Sequence, residues 1–185
     1  MYVEFLWRFL NMRNEIWDVF DSDGNLTGKT VTRGHCFLKP GEYHKVVHIW
    51  IVSTDGKFLL QRRSDQKKLM AGEWAATGGA VVSGESSYTA ANRELFEELG
   101  IVSNKQTLRQ ILSLKRRNSL LDVWMITCDI KVENLKLQKS EVAEARWVAK
   151  EELEQMIKKG LFHNYGKEYF DSVFDAIDAN RGVTV

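Results

Sequence analysis

The chain is poor in the residues that impose special architectures. It has two cysteines in 185 residues. Cys36 and Cys128 lack metal-ligand spacing, and two thiols make no disulfide scaffold. A single disulfide between them is compatible with the count, but free thiols in a reducing cytosol are the expectation. The one proline, Pro40, argues against a long linker. There is no excess of one charge: 26 basic and 25 acidic residues leave a net +1. Nothing global therefore favours nucleic acid or an acidic membrane surface. Long apolar runs are missing too. The opening MYVEFLWRFLNM is short, is interrupted by Glu4 and Arg8, and precedes no small-residue cleavage site. Residues 1–14 are read as an N-terminal extension, either a helical turn packed on the domain or an upstream start with the native one at Met12. Residues 15–185 suit one cytoplasmic domain with an ample core.

What is present alternates between strand and helix patterns. Residues 15–20 read as a strand, followed by turn chemistry at Asp21-Ser22-Asp23-Gly24. Residues 46–52 and 57–62 read as a hairpin around Thr54-Asp55-Gly56. A polar loop, 64–73, leads to a short strand and glycine turn at 74–82, then a helix at 87–99. Residues 106–115 and 123–132 read as strands joined through 116–121, and 145–148 as a last short strand. Residues 150–159 and 165–179 read as amphipathic helices. Strands mixed with a few helices predict an α/β or α+β layered domain.

The stretch GAVVSGESSYTAANRELFEELGI, residues 79–101, holds Gly79, Glu85, Arg93, Glu94, Leu95, Glu97, Glu98, Gly100 and Ile101 at fixed offsets. At roughly 7% average usage per fixed residue type, a chance match has odds on the order of one in a billion per starting position. Projected at about 100° per residue, Tyr88, Ala91, Leu95 and Leu99 form one stripe for packing on a sheet. Glu94, Glu97 and Glu98 share the adjoining flank, with small Ser87 and Ala90 beside them. Three carboxylates this close raise one another's pKa, and a divalent cation removes the conflict. Such hard oxygen donors suit Mg²⁺, with Mn²⁺ as the alternative. Gly78-Gly79 permits a tight turn and close backbone approach, and Gly100 stands where a left-handed C-cap belongs.

These offsets resemble the Nudix signature at every specified position. The resemblance implies a Nudix α/β/α sandwich with a mixed, curved sheet. It also implies Mg²⁺-dependent hydrolysis of a diphosphate linked to another group. It implies Glu97 and Glu98 as principal metal ligands, Glu94 as a further ligand or general base, and a carbonyl of the Gly78-Gly79 pair as another ligand. Glu85 and Arg93 are implied as a buried ion pair with a structural role. Glu141, before the last strand, is a candidate metal ligand or base, with a surface salt bridge as the equal alternative.

Arg62 and Arg63 end the strand FLLQRR. Alternation puts them on opposite faces, so one of them is expected to reach a phosphate. Tyr43 and Trp74 are candidates to stack on a base, although core packing is the stronger expectation for either. Lys115-Arg116-Arg117 reads as a solvated hairpin. The expected partner is a small-molecule diphosphate, a nucleoside di- or triphosphate or a derivative, with neither nucleic acid nor membrane; a homodimer is compatible with the sequence. Two alternatives stay open. One is a non-catalytic nucleotide-binding regulatory module, disfavoured by the intact glutamates. The other is an activity like isopentenyl-diphosphate isomerase, which residues 34–63 with His35 and His44 also resemble. The expected catalytic cysteine is replaced there by Trp74-Ala75-Ala76-Thr77-Gly78-Gly79.

Overall fold

β3 (His44–Val52) runs through the middle of the main sheet because both its faces are covered. Its odd positions, Val47, Ile49 and Ile51, enter one apolar cluster, and its even positions, Trp50 and Val52, enter another. The computed structural model describes residues 15–34 and 38–181. A two-stranded sheet pairs β1 (Ile16–Phe20) with β2 (Leu26–Thr32). The main sheet has seven strands: β3, β4 (Phe58–Arg63), β5 (Trp74–Ala75), β6 (Thr77–Ala80), β7 (Leu108–Lys115), β8 (Ser119–Thr127) and β9 (Val142–Val148). β3 and β8 are parallel over their whole length, and the other pairings are antiparallel, so the sheet is mixed.

Helix α1 (Ser87–Leu99) lies on one face, where Ala90, Ala91, Leu95 and Leu99 meet Val47, Ile49, Leu59 and Ile126. Helices α2 (Lys150–Lys158) and α3 (Lys167–Asn180) cover the other, through Leu153, Met156, Tyr169, Phe170, Val173 and Ile177. This is the expected α/β/α sandwich. No helix among the described residues is long and apolar enough to cross a membrane. The N-terminal extension, His35 and Cys36 lie outside the described residues.

One irregularity prepares the site. β3 pairs with β4 only at Ile51 and Val52. Beyond that the two strands part, and the chain from Trp74 to Ala80 fills the wedge. β5 pairs with Gln61 and Arg62 of β4, then β6 pairs with Val46 to Ile49 of β3. Gly78 and Gly79 therefore sit in the split, opposite His48 and Val47.

Three strands depart most from expectation. β8 begins at Ser119, inside the expected connection, and ends at Thr127. β9 begins three residues early, at Val142. β2 is a strand that the pattern did not announce, because five of its seven residues are exposed and alternation is absent.

Candidate active site

Helix α1 is well delimited. The Ser86 side chain caps its start by accepting from the Thr89 amide at 3.1 Å. Gly100, at φ 72°, ends it in the left-handed conformation. Its amide reaches Phe96 O at 2.9 Å, while Ile101 N reaches Leu95 O at 3.2 Å. Lys136 N and Gln138 N satisfy the carbonyls of Leu99 and Glu98, tying the helix end to the loop before β9.

The turn before α1 is held by Arg93. Its guanidinium donates to both oxygens of Glu85, at 3.0 and 3.1 Å, to the Ala80 carbonyl at 3.0 Å, and to Glu94 at 2.7 Å. It also contacts Glu97 at 3.3 Å. Burial alone would lower the Arg93 pKa; the Glu85 hydrogen bonds and the neighbouring carboxylates overcome it and raise it. Replacing Arg93 by Ala leaves Glu85 buried without its cation. We expect a loss of about 3 kcal/mol in stability by urea denaturation; a loss under about 0.5 kcal/mol would reduce this network to a surface ornament. The N-terminal hairpin clamps the same turn: Asp18 accepts from Ser83 Oγ at 2.7 Å and from Gly84 N at 2.8 Å.

The carboxylates are less alike than their spacing on the helix suggests. Glu98 is buried, at 3% exposure, and accepts from Gln61 Nε2 at 2.8 Å. Burial first, then the charge of Glu94, raises its pKa to about 8. Glu94 is raised to about 7, again by burial first, with Arg93 pulling the other way and Glu97 and Glu15 adding repulsion. Burial rather than mutual repulsion is thus the larger cause. Glu97 remains partly exposed beside Arg93. The Glu94 carboxylate lies on Gly79, where any Cβ would overlap it. Glu141 lies in the loop before β9, paired with Lys67 at 2.5 Å, and its charge is felt by Glu98. Gly79 and Glu94 are thus in close approach, and Glu98 feels the charges of Glu94 and Glu141.

These donors fit a hard divalent cation: they are carboxylate oxygens at a buried position, where Arg63 offsets the crowding of like charges only in part. Among the described residues, no three His, Cys, Asp or Glu side chains form a ready-made cage.

The NUDIX domain family model matches residues 42–169. The chain belongs to the Nudix family. An uncharacterised Nudix hydrolase of Listeria monocytogenes is 41% identical over 152 residues, covering 82% of this chain and 89% of its own. The nucleoside triphosphatase NudI of Escherichia coli is 42% identical over 50 residues only, 27% of this chain and 36% of its own. A crystal structure from Deinococcus radiodurans superposes with a TM-score of 0.70 at 23% identity, covering 80% of this chain and 91% of that one. The Nudix enzyme class is that of a pyrophosphohydrolase.

Within this Nudix domain the remaining candidates separate. Arg62 is engaged on the surface by Asp65 at 3.2 Å and Glu144 at 3.5 Å. A bulge between Arg62 and Arg63 breaks the register with β9. Among the described residues the Arg63 side chain has only a long bond to Leu69 O at 3.4 Å, and Glu98 feels its charge. Tyr43 is buried, bridged to Phe20 and overlain by Lys115. Trp74 packs on the α2–α3 core with Arg146 4.7 Å above its ring. Both are used in packing, and neither touches a box carboxylate. His44 stacks on Trp17, with ring centroids 4.4 Å apart. Burial first and Arg33 second hold its pKa down to about 4, so it is a neutral ring at neutral pH. Two cavities, of about 420 and 460 Å³, lie elsewhere, beside Asp129 and Trp147 and between α2 and α3. Sequence reasoning missed Gln61, whose only signal was a polar residue at an inward position of an apolar strand.

Proposed function

We propose that the protein is a Mg²⁺-dependent hydrolase that cleaves a diphosphate bond in a nucleoside di- or triphosphate or a nucleoside diphosphate derivative. The observation that carries this reading is Glu98, a buried carboxylate whose near neighbours include the like charges Glu94 and Glu141. A fold keeps such a group where a cation completes it. Glu94, Glu97, Glu98 and the Gly79 carbonyl would hold the ion. Mg²⁺, when bound, supplies charge neutralisation on the phosphoryl oxygens and a more acidic water. In this reading Glu141 would accept the proton of an attacking water, and Arg63 would orient a phosphate. Glu85, Arg93 and Gly100 hold the geometry. The nucleoside part draws on the nucleoside triphosphatase NudI, which resembles 27% of this chain.

The test is a panel of nucleoside and isoprenoid diphosphate compounds incubated with protein and Mg²⁺, with products followed by phosphorus NMR. Cleavage at a diphosphate bond is expected. Conversion of isopentenyl to dimethylallyl diphosphate would replace the hydrolase with the isomerase, and tight binding without cleavage would favour a regulatory module. The metal is checked separately by thermal melts. At ten times its Kd, Mg²⁺ should add about 1.4 kcal/mol, or about 3–6 °C for a domain of this size. The shift should vanish in Glu98→Gln. Coincident melts in EDTA and excess Mg²⁺ would remove the metal site.

A further inference from the structure

The turn joining β7 to β8 carries Lys115, Arg116 and Arg117. Lys115 and Arg117 are exposed, as a solvated hairpin requires, but Arg116 turns inward. Its guanidinium lies 5.3 Å from the Tyr169 ring centroid and 5.7 Å from that of Tyr165. Aromatic faces hold a guanidinium by its plane and leave its N–H edge unspent. Nη2 is buried and has no hydrogen-bond partner, and Arg116 makes no ion pair among the described residues. Arg93, by contrast, spends its N–H groups on Glu85, Glu94, Glu97 and a carbonyl. A buried cationic donor left idle is costly unless something else completes it.

Two further donors stand beside it. Trp50 Nε1, which can only donate, gives its hydrogen to Tyr169 Oη at 3.0 Å. The Tyr169 hydrogen is then free for His48 Nδ1, at 2.8 Å. This pattern assigns the His48 proton to Nε2. Burial, then Arg116 and His163, holds that ring neutral, with a pKa of about 3. Neither His48 Nε2 nor the Tyr165 hydroxyl makes a hydrogen bond among the described residues, and the two rings are 4.7 Å apart. Burial keeps the Tyr165 hydroxyl protonated, and the charges it feels include Arg116, Arg63 and Glu98. Arg116, Tyr165 and His48 are thus a donor set with no bonded carboxylate among the described residues, and Tyr165 feels the charge of Glu98.

We infer that Arg116, Tyr165 and His48 form a recognition site for a second, non-reacting phosphate of the substrate. The inference rests on the hydrolase reading for the identity of the ligand, while the donor set stands independently of it. A donor-only cluster around one cation selects an acceptor-rich anion, and a guanidinium edge matches phosphate oxygens in pairs.

The experiment titrates inorganic pyrophosphate into the full-length protein by calorimetry in EDTA, so that neither turnover nor a metal carries the result. Arg116→Gln should weaken pyrophosphate binding about tenfold, the loss of one charge-assisted hydrogen bond. Tyr165→Phe, which deletes only a hydroxyl, should weaken it by about threefold or more, and Arg117→Gln, at the exposed arginine next in the turn, should not weaken it. Thermal melts accompany each variant. If Arg116→Gln does not fold, Tyr165→Phe and Arg116→Lys decide. Unchanged affinity in the folded variants overturns the site. Adenosine binding that depends on Arg116 while pyrophosphate binding does not would also overturn it, in favour of a base pocket. If the substrate panel shows no cleavage yet pyrophosphate binding still responds to Arg116, the hydrolase reading fails and the anion site survives.

Discussion

Glu98→Gln lowers turnover by about 10²–10³-fold or more, and the protein melts no earlier than wild type in the absence of metal. The two halves of this expected result have one cause. Glu98 is buried, and burial raises its pKa to about 8, so its charge is a burden on the metal-free fold. Glutamine has the same shape, still meets Gln61 across the 2.8 Å contact, and carries no charge to bury. The fold is therefore spared while the strongest reason for a cation to bind disappears. Glu97→Gln should also cut the rate while leaving the melt near wild type, since Glu97 is partly exposed. Rates and melts of both variants are the measurement. Near wild-type rates in both would sink the metal-site assignment.

Gly79→Ala should be nearly as damaging, about 10²-fold in rate, through a single methyl group. Gly79 is absent from the glycines with positive φ, so its backbone suits alanine. The obstacle is the space a Cβ would take, which the Glu94 carboxylate already fills. Alanine would push that carboxylate off the sheet, with a stability cost of about 1–3 kcal/mol for overpacking. The mechanism predicts non-additivity. If the methyl acts by displacing Glu94, the double variant Gly79→Ala/Glu94→Gln is no slower than Glu94→Gln alone. Losses that multiply would mean that Gly79 acts by another route, and wild-type turnover in Gly79→Ala would show the close approach to be dispensable.

Much of the box was legible because its information is local. The Gly100 stop and the common flank of Glu94, Glu97 and Glu98 follow from offsets along one helix, which chain geometry converts directly into neighbours, and the Glu85–Arg93 pair was implied by the Nudix resemblance. A layered domain of strands and helices followed from β-branched strands and amphipathic helices, and the Nudix resemblance sharpened it to the α/β/α sandwich. The strands read least well were those whose environment is not half-buried. β2 is mostly exposed, and seven of the nine residues of β8 are buried, so neither alternates as a half-covered strand does.

The sequence by itself determined the family, the helix that bears the carboxylates and the ion pair that braces it. Only the tertiary structure decided how those carboxylates differ. Gln61 lies 37 residues from Glu98, and their hydrogen bond exists because β4 splits from β3 and lets α1 settle over the gap. A bulge against β9 gives Arg62 and Arg63 different surroundings. Arg116 reads as one cation among three until α3 brings Tyr165 and Tyr169 beneath it. Burial, pairing across a sheet and the facing of a turn depend on contacts between residues distant in the chain, and local periodicity carries no trace of them.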